Sequence, residues 1–326
     1  LAEDRVYDDF EAMARAEAAR PDGIDAVAIV TPNHLHAPVA RAFLEAGIDV
    51  ICDKPLARTL DEAEALAALA ARTGLVFAVT YPYAFHAMAR QMREMVRARE
   101  IGPIRQVHVE YFQDWAIDVG GADAPWRLDP ERNGPSFTVA DIGTHAEHLL
   151  RFATGLEIEA LRAEFHVAGA PKPLEDTAFM HLRLSGGVPG TLMVSQAAAG
   201  AQCGLRIRVC GARATLDWSA ETPEAVRVLG VETPERVISR GHGAGVLPAA
   251  ERMVRMKRGH PEALVDAWAN LYTEIAVAVA ARREATTLAP DLLATPTIED
   301  GVLGMRFVDA AIRSNETGGW ARLDGG

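Results

Sequence analysis

Ala26-Val27-Ala28-Ile29-Val30 is an unbroken apolar run, and Thr31-Pro32-Asn33-His34-Leu35-His36 follows it directly. A short apolar run between turn residues suits a strand buried on both faces, the habit of parallel sheets. The flanking segments agree. Residues 8–20, with Asp8, Phe10, Met13 and Ala14, read as a helix closed by Pro21-Asp22-Gly23, and Pro38 to Glu45 reads as another, stopped at Gly47. Ile48 to Cys52 is the next strand. Thr59 to Ala71 is an Ala/Leu/Glu-rich helix in which Thr59 and Glu62 form a capping-box pattern. Leu75 to Thr80 is a further strand and Ala87 to Arg99 a further helix. This alternation predicts an α/β unit with a doubly wound parallel sheet.

The pattern changes at Gly102-Pro103. Strands are predicted at 104–112, 157–168, 176–184, 189–196, 204–210 and 213–218, with one substantial helix at 140–154 among them. Gly211-Ala212 joins the last two as a hairpin. The reading is a second α/β domain over 103–290, built on a large open, mainly antiparallel sheet. Its long helix runs from Pro261 to Arg283, with the proline in the first turn, where a missing N–H costs nothing. Residues 291–326 supply a last helix, Pro296 to Ser314, and a tail expected to pack back towards the first domain, residues 1–102.

A chain of 326 residues favours two domains. A net charge of −12 argues against nucleic acid and anionic membrane surfaces as partners. Three cysteines make no disulfide framework, and Cys52 and Cys210 sit in strand-like runs as buried thiols of a reducing compartment. No unbroken apolar run reaches the roughly eighteen residues that cross a bilayer, and the acidic first residues do not read as a signal peptide. The expected location is cytoplasmic.

Thr31 to His36 stands at the carboxyl end of a strand, the edge where doubly wound sheets bind ligands. It is either a loop that touches a cofactor, with Pro32 fixing the backbone and Asn33 donating hydrogen bonds, or a polar-capped turn. Cys52-Asp53-Lys54-Pro55 ends the next strand at the same edge. Lys54 there is a cation for a phosphate, a proton donor or a solvated strand end. Tyr81 and Tyr83 are pocket-lining phenols or packing residues, and Trp126-Arg127 is a substrate wall or an anchored surface loop. Asp141 and His145 lie four apart on one helix, so the carboxylate can orient or charge-stabilise the imidazole, an acid/base arrangement. His34 with His36, and Asp141 with His145 and His148, lack a recognisable ligand spacing, and no metal is expected.

Taken in order, Ala28-Ile29-Val30-Thr31-Pro32-Asn33-His34-Leu35-His36, Cys52-Asp53-Lys54-Pro55-Leu56 and Asp141-Ile142-Gly143-Thr144-His145 resemble the Gfo/Idh/MocA oxidoreductases, named for glucose-fructose oxidoreductase and inositol dehydrogenase. Gly259-His260-Pro261-Glu262 and the ending Asp300-Gly301 to Gly319-Trp320 also fit. The resemblance implies a Rossmann domain over 1–102 that binds NAD or NADP. It implies a substrate-binding and oligomerisation domain over 103–290, whose open sheet joins subunits as a homodimer or homotetramer. Thr31, Pro32, Asn33, His36, Asp53, Lys54 and Pro55 would meet the cofactor. Tyr83, Trp126, Arg127, Asp141 and His145 would meet a polyhydroxylated small molecule. Lys54 would bridge nicotinamide and substrate, His145 would transfer the proton, and Asp141 would orient the site. Asp53 stands where the family usually has glutamate, and Tyr81-Pro82-Tyr83 replaces a segment that usually contains asparagine.

The implied activity is hydride transfer between a secondary alcohol of a sugar, cyclitol or related polyol and the cofactor. The alternatives are NAD-dependent glycoside hydrolysis and non-catalytic sugar or dinucleotide sensing; the retained Lys54, Asp141 and His145 favour catalysis. No strand with a Gly-x-Gly-x-x-Gly turn precedes Ala26. Leu1 enters the family pattern about seventy residues late. The Rossmann domain is therefore expected to lack its first strands and Gly-rich loop, strand 26–30 to lack a neighbour, and the chain to be a piece of a longer protein.

Overall fold

The computed structural model describes residues 3–120, 125–241, 243, 245–288 and 293–324. Leu1, residues 121–124 shortly before Trp126, and the first two residues of the 291–326 segment lie outside them. Asp9 caps α1 (Phe10–Ala19), its side chain accepting from Ala12 N at 2.6 Å. β1 (Ala26–Ile29) and β2 (Asp49–Cys52) are joined through α2 (His36–Glu45), and β2 and β3 (Phe77–Val79) through α3 (Leu60–Thr73). Helical crossovers return the chain in the same direction, and the three strands pair in parallel with Ala28, Ile51 and Ala78 in register. Thr59 accepts from Glu62 N at 3.3 Å, but the Glu62 carboxylate turns back to Arg58, so only half of the expected capping box forms. Among the described residues β1 is an edge strand.

The chain then leaves this sheet through α4 (Ala87–Arg97) and β4 (Ile104–Phe112), followed by α5 (Pro130–Asn133) and α6 (Thr144–Thr154). β5 (Ile158–His166), β6 (Thr177–Leu184), β7 (Val188–Ser195), β8 (Gly204–Gly211), β9 (Ala214–Ser219), β10 (Ala225–Gly230) and β11 (Arg236–Ser239) come next. The helices α7 (Pro248–Glu251), α8 (Leu264–Arg283) and α9 (Ile298–Thr317) and the short β12 (Ala321–Arg322) complete the order. Among the described residues nine strands form one sheet, β11-β10-β9-β8-β4-β7-β6-β5-β12, antiparallel throughout except for the β4–β7 pair. β10, β11 and β12 are additions to the sequence reading. β11 buries no residue and β12 has only two, so neither shows an alternating pattern.

Inward residues of this sheet, among them Val109, Leu192, Leu205, Ile207 and Trp218, share one core with α6 and α9. α4, which precedes residue 102, buries Met88, Met92 and Met95 in this larger core rather than against the three-stranded sheet. α8 begins at Leu264, not at Pro261. The reason lies in the segment before it: the Glu262 carboxylate accepts from Arg255 N and Met256 N, and Glu262 N donates to Glu224, which pins 260–262 outside the helix. By length and composition α8 passes as a bilayer-spanning helix, although the sequence shows no unbroken apolar run there. Its Leu271 and Ile275 are core residues, and its buried Glu274 accepts from Arg90 and Arg252. Arg282 near its end reaches the fully buried Asp49 of β2 at 2.9 Å, which docks α8 on the smaller sheet.

α9 crosses between the two cores, giving Val302 and Met305 to the smaller and Phe307 and Val308 to the larger. Gly301 permits this approach. A Cβ there would lie 2.9 Å from Leu56 and 3.0 Å from Val79, too close for either to yield cheaply. Gly301→Val is expected to cost about 1–3 kcal/mol by overpacking. Urea denaturation measures it, and wild-type stability in that variant would contradict the close packing.

Candidate active site

β2 ends in the core and delivers Lys54 to the carboxyl edge of the parallel sheet, where a cis Lys54–Pro55 bond turns the chain. The sequence expectation of one helix over 140–154 needs a correction here. Val139–Gly143 is a widened π turn, and the α-helix starts only at Thr144. Turns of this kind recur at functional sites because they re-aim individual groups. The Asp141 carbonyl accepts from Lys54 Nζ at 2.7 Å, and Asp141 Oδ1 accepts from the same nitrogen at 2.5 Å. Gln196 Nε2 donates to Asp141 Oδ2 at 2.7 Å. Burial alone would raise the Asp141 carboxyl, but Lys54, helped by Arg127 and Gln196, holds it down at about 2.

His145 follows on α6 and is nine-tenths buried. The Tyr81 and Tyr83 rings meet it edge-on, with centroids at 5.8 and 5.1 Å, and Tyr111 lies at 6.3 Å. Burial, and then the Lys54 charge, push the imidazole well below its ordinary value; Asp141 opposes them without prevailing. Nδ1 is sealed with no hydrogen-bond partner among the described residues, so Nε2 is the nitrogen left to face a ligand. The Tyr83 and Tyr111 hydroxyls bond each other at 2.5 Å, and burial lifts the Tyr83 phenol to about 12.

A cavity of about 190 Å³ opens at the carboxyl edge. Thr31, Pro32, Asn33, His36, Asp53 and Lys54 line one side, and Trp126, Arg127 and Asp141 line the other. The Arg127 guanidinium lies over the Trp126 ring at 4.5 Å. Several of these groups are already engaged within the protein. Asn33 Nδ2 donates to Asn133 O and Oδ1 at 3.0 and 3.1 Å. Both His36 nitrogens face carbonyls, Pro55 O at 2.8 Å and Thr31 O at 2.9 Å, and the neutral ring that burial favours donates its one N–H to one of them. Asp53 accepts from Thr80 Oγ1 at 2.6 Å. Pro55, Tyr83 and His145 are not among the residues that line the cavity; Pro55 contributes its carbonyl to His36, and the other two belong to the aromatic cluster.

Thr31 Oγ1 is buried with no partner among the described residues. A buried hydroxyl of that kind calls for an outside partner. Thr31 lines the same cavity as Lys54 beyond the ends of the parallel strands, the edge where doubly wound sheets bind dinucleotides.

The smaller unit matches, over residues 2–81, the family described as an oxidoreductase family with an NAD-binding Rossmann fold. Residues 89–217 match the GFO/IDH/MocA C-terminal domain. The uncharacterized oxidoreductase YfiI of Bacillus subtilis (strain 168) is 34% identical over 97% of this chain and 81% of its own length. The chain belongs to the Gfo/Idh/MocA oxidoreductase family. An inositol dehydrogenase homolog from Azotobacter vinelandii complexed with NAD+ superposes with a TM-score of 0.92 at 36% identity, over 98% of this chain and 83% of that one. Its complex with NADH and myo-inositol gives 0.90 over the same shares, at the same identity. The chain thus joins a unit that matches an NAD-binding Rossmann fold to a large, mainly antiparallel sheet.

The Lys54–Asp141 pair has a stability signature. A depressed carboxylate stabilises the fold fully above its unfolded value near ~4 and loses that contribution as pH falls towards about 2. In Lys54→Met only Arg127 and Gln196 remain to oppose burial, and the carboxyl rises from its wild-type value. The variant is expected to be about 3 kcal/mol less stable than wild type at pH 7, with the gap narrowing below pH ~4 as Asp141 takes up a proton. Urea titrations at the two pH values test this; an equal gap at both counts against the pairing.

Proposed function

We propose that the protein oxidises a secondary alcohol of a sugar, cyclitol or related polyol, with NAD or NADP as hydride acceptor. One observation carries the reading: an ammonium anchored on an ionised carboxylate stands at the dinucleotide edge beside an imidazole held neutral by burial. Removing hydride from a carbinol requires that its hydroxyl proton leave to a base. His145 Nε2 is that base. Lys54 commits two of its three protons to Asp141, which leaves the third for the oxygen on which negative charge develops. Asp141 is held by donors on both carboxylate oxygens, so its role is to orient Lys54 rather than to take the proton.

Thr31, Pro32, Asn33, Asp53 and Lys54 would hold the nicotinamide end of the cofactor, with His36 and Pro55 fixing the backbone around them. When bound, the nicotinamide supplies the hydride-accepting carbon. Trp126 and Arg127 form a wall with an aromatic face and a cation, suited to a polyhydroxylated ring, and Tyr83 adds a phenol near His145. The Azotobacter vinelandii homolog's complex with myo-inositol supports this substrate class. We further infer a cytoplasmic homodimer or homotetramer joined through the outer face of the nine-stranded sheet, where Phe179 pairs with Met193 and is 46% exposed.

A panel of sugars and cyclitols with each dinucleotide tests the reading. Stoichiometric reduced cofactor and ketone are expected, whereas glycoside hydrolysis without net reduced cofactor would replace this reading with the hydrolase. His145→Ala is expected to lower kcat by about 10²–10⁴-fold with the near-UV circular dichroism preserved. Wild-type turnover in that variant removes His145 from the role of base.

A further inference from the structure

The Asp141 oxygen that Lys54 does not use is held by a chain of amides with only one allowed polarity. Trp115 Nε1 lies 3.0 Å from Gln113 Oε1. An indole nitrogen can only donate, so this end of the Gln113 amide must be oxygen. Its Nε2 then faces Tyr111 OH at 3.1 Å. Gln196 approaches the same Gln113 Oε1 at 3.2 Å and Asp141 Oδ2 at 2.7 Å, both acceptors, so Gln196 must present its NH₂ to them. Its Oε1 accepts from Thr138 Oγ1 at 2.7 Å. Gln196 is fully buried, its backbone tied to Asp176 O and Ala116 N. Flipping Gln196 would set its oxygen against Asp141 Oδ2 and Gln113 Oε1, and flipping Gln113 would set its NH₂ against the N–H groups of Trp115 and Gln196.

We propose that Gln196, oriented through Gln113 by Trp115, is a positioning residue that fixes one Asp141 oxygen so that the other stays on Lys54. The two glutamines follow β4 and β7, the single parallel pair of the large sheet, and so stand side by side at its carboxyl edge. The N–H of Gln196 meets a carboxylate, and such charge-assisted bonds are about twice as strong as neutral ones. The kinetic part of this inference rests on the dehydrogenase reading; the structural part does not.

The charged and titratable groups around this pair are Lys54 and Arg127, neutral His145, and the Tyr83 and Tyr111 phenols. Cys203 lies beyond Gln113, Asp176 is paired with Lys172, and Glu175 is spent on Ser136, Phe137 and Val139. Gln196→Glu keeps the shape and replaces the amide with a titratable carboxyl. Protonated, that new carboxyl can donate to Asp141 Oδ2 as the amide does; ionised, it sets a second negative charge against the Asp141 carboxylate.

The expected kcat of Q196E lies within about threefold of wild type at acid pH and falls along a new basic limb that wild type lacks, with KM for the dinucleotide unchanged. Q196L, without a donor at any pH, is expected to lose about tenfold to a hundredfold in kcat with no new limb. Carboxyl ¹³C NMR gives a second readout that needs neither substrate nor cofactor: the Asp141 midpoint in Q196L should rise by about one pH unit. A Q196E profile superimposable on wild type, or an unmoved Asp141 midpoint in folded Q196L, overturns the proposal. If wild type oxidises no polyol with either dinucleotide, the dehydrogenase reading fails, and the NMR midpoint alone decides the role of Gln196.

Discussion

An ammonium and a carboxylate 2.5 Å apart, contributed by residues 87 positions apart in the chain, set the two cores in one arrangement. Lys54 comes from the end of a parallel strand and Asp141 from a widened turn packed on the larger sheet. Removing both ions from water costs several kcal/mol apiece, which attraction and further hydrogen bonds must offset. The second bond from Lys54 to the Asp141 carbonyl and the bond from Gln196 supply that compensation. The pair therefore acts more as a register than as a source of stability. While it stands, the loop after β1, the turn after β2 and the Trp126–Arg127 segment enclose one cavity.

The smaller sheet was legible because its strands are unbroken apolar runs between Gly and Pro punctuation, and because Thr59 caps a helix in the way its side chain dictates. Asp141 and His145 were legible as residues, but the backbone that carries them was not. Apolar periodicity does not separate an i+4 from an i+5 turn over five residues, so the π turn read as plain helix. Pro261 misled for a different reason: tertiary bonds to Glu262 override a favourable first-turn proline. The sequence also carries a signal for the two glutamines. Val107, Val109 and Tyr111 point inward along β4, and Gln113 continues their parity; Leu192 and Val194 do the same for Gln196 on β7. A polar residue at an inward position just past a strand's end marks a buried hydrogen bond whose partner the strand alone does not name.

The electrostatics of the site follow from one cation acting on two unlike groups. Burial disfavours charge on either, which raises a carboxyl and lowers an imidazole. Lys54 lowers both. At Asp141 the two effects oppose, and contact at 2.5 Å lets the ammonium win. At His145 they add, and the nearby carboxylate, already spent on Lys54 and Gln196, does not reverse them. The outcome at neutral pH is an ionised Asp141 beside a neutral His145, two titratable groups pushed apart by their surroundings, which is how acid and base roles are separated. An imidazole whose value is so depressed is a weak base in the resting site, and its conjugate acid is correspondingly strong. In the proposed oxidation, proton transfer from the alcohol to His145 would be drawn along by departure of hydride, and the same acid would return a proton to a carbonyl in the reverse direction.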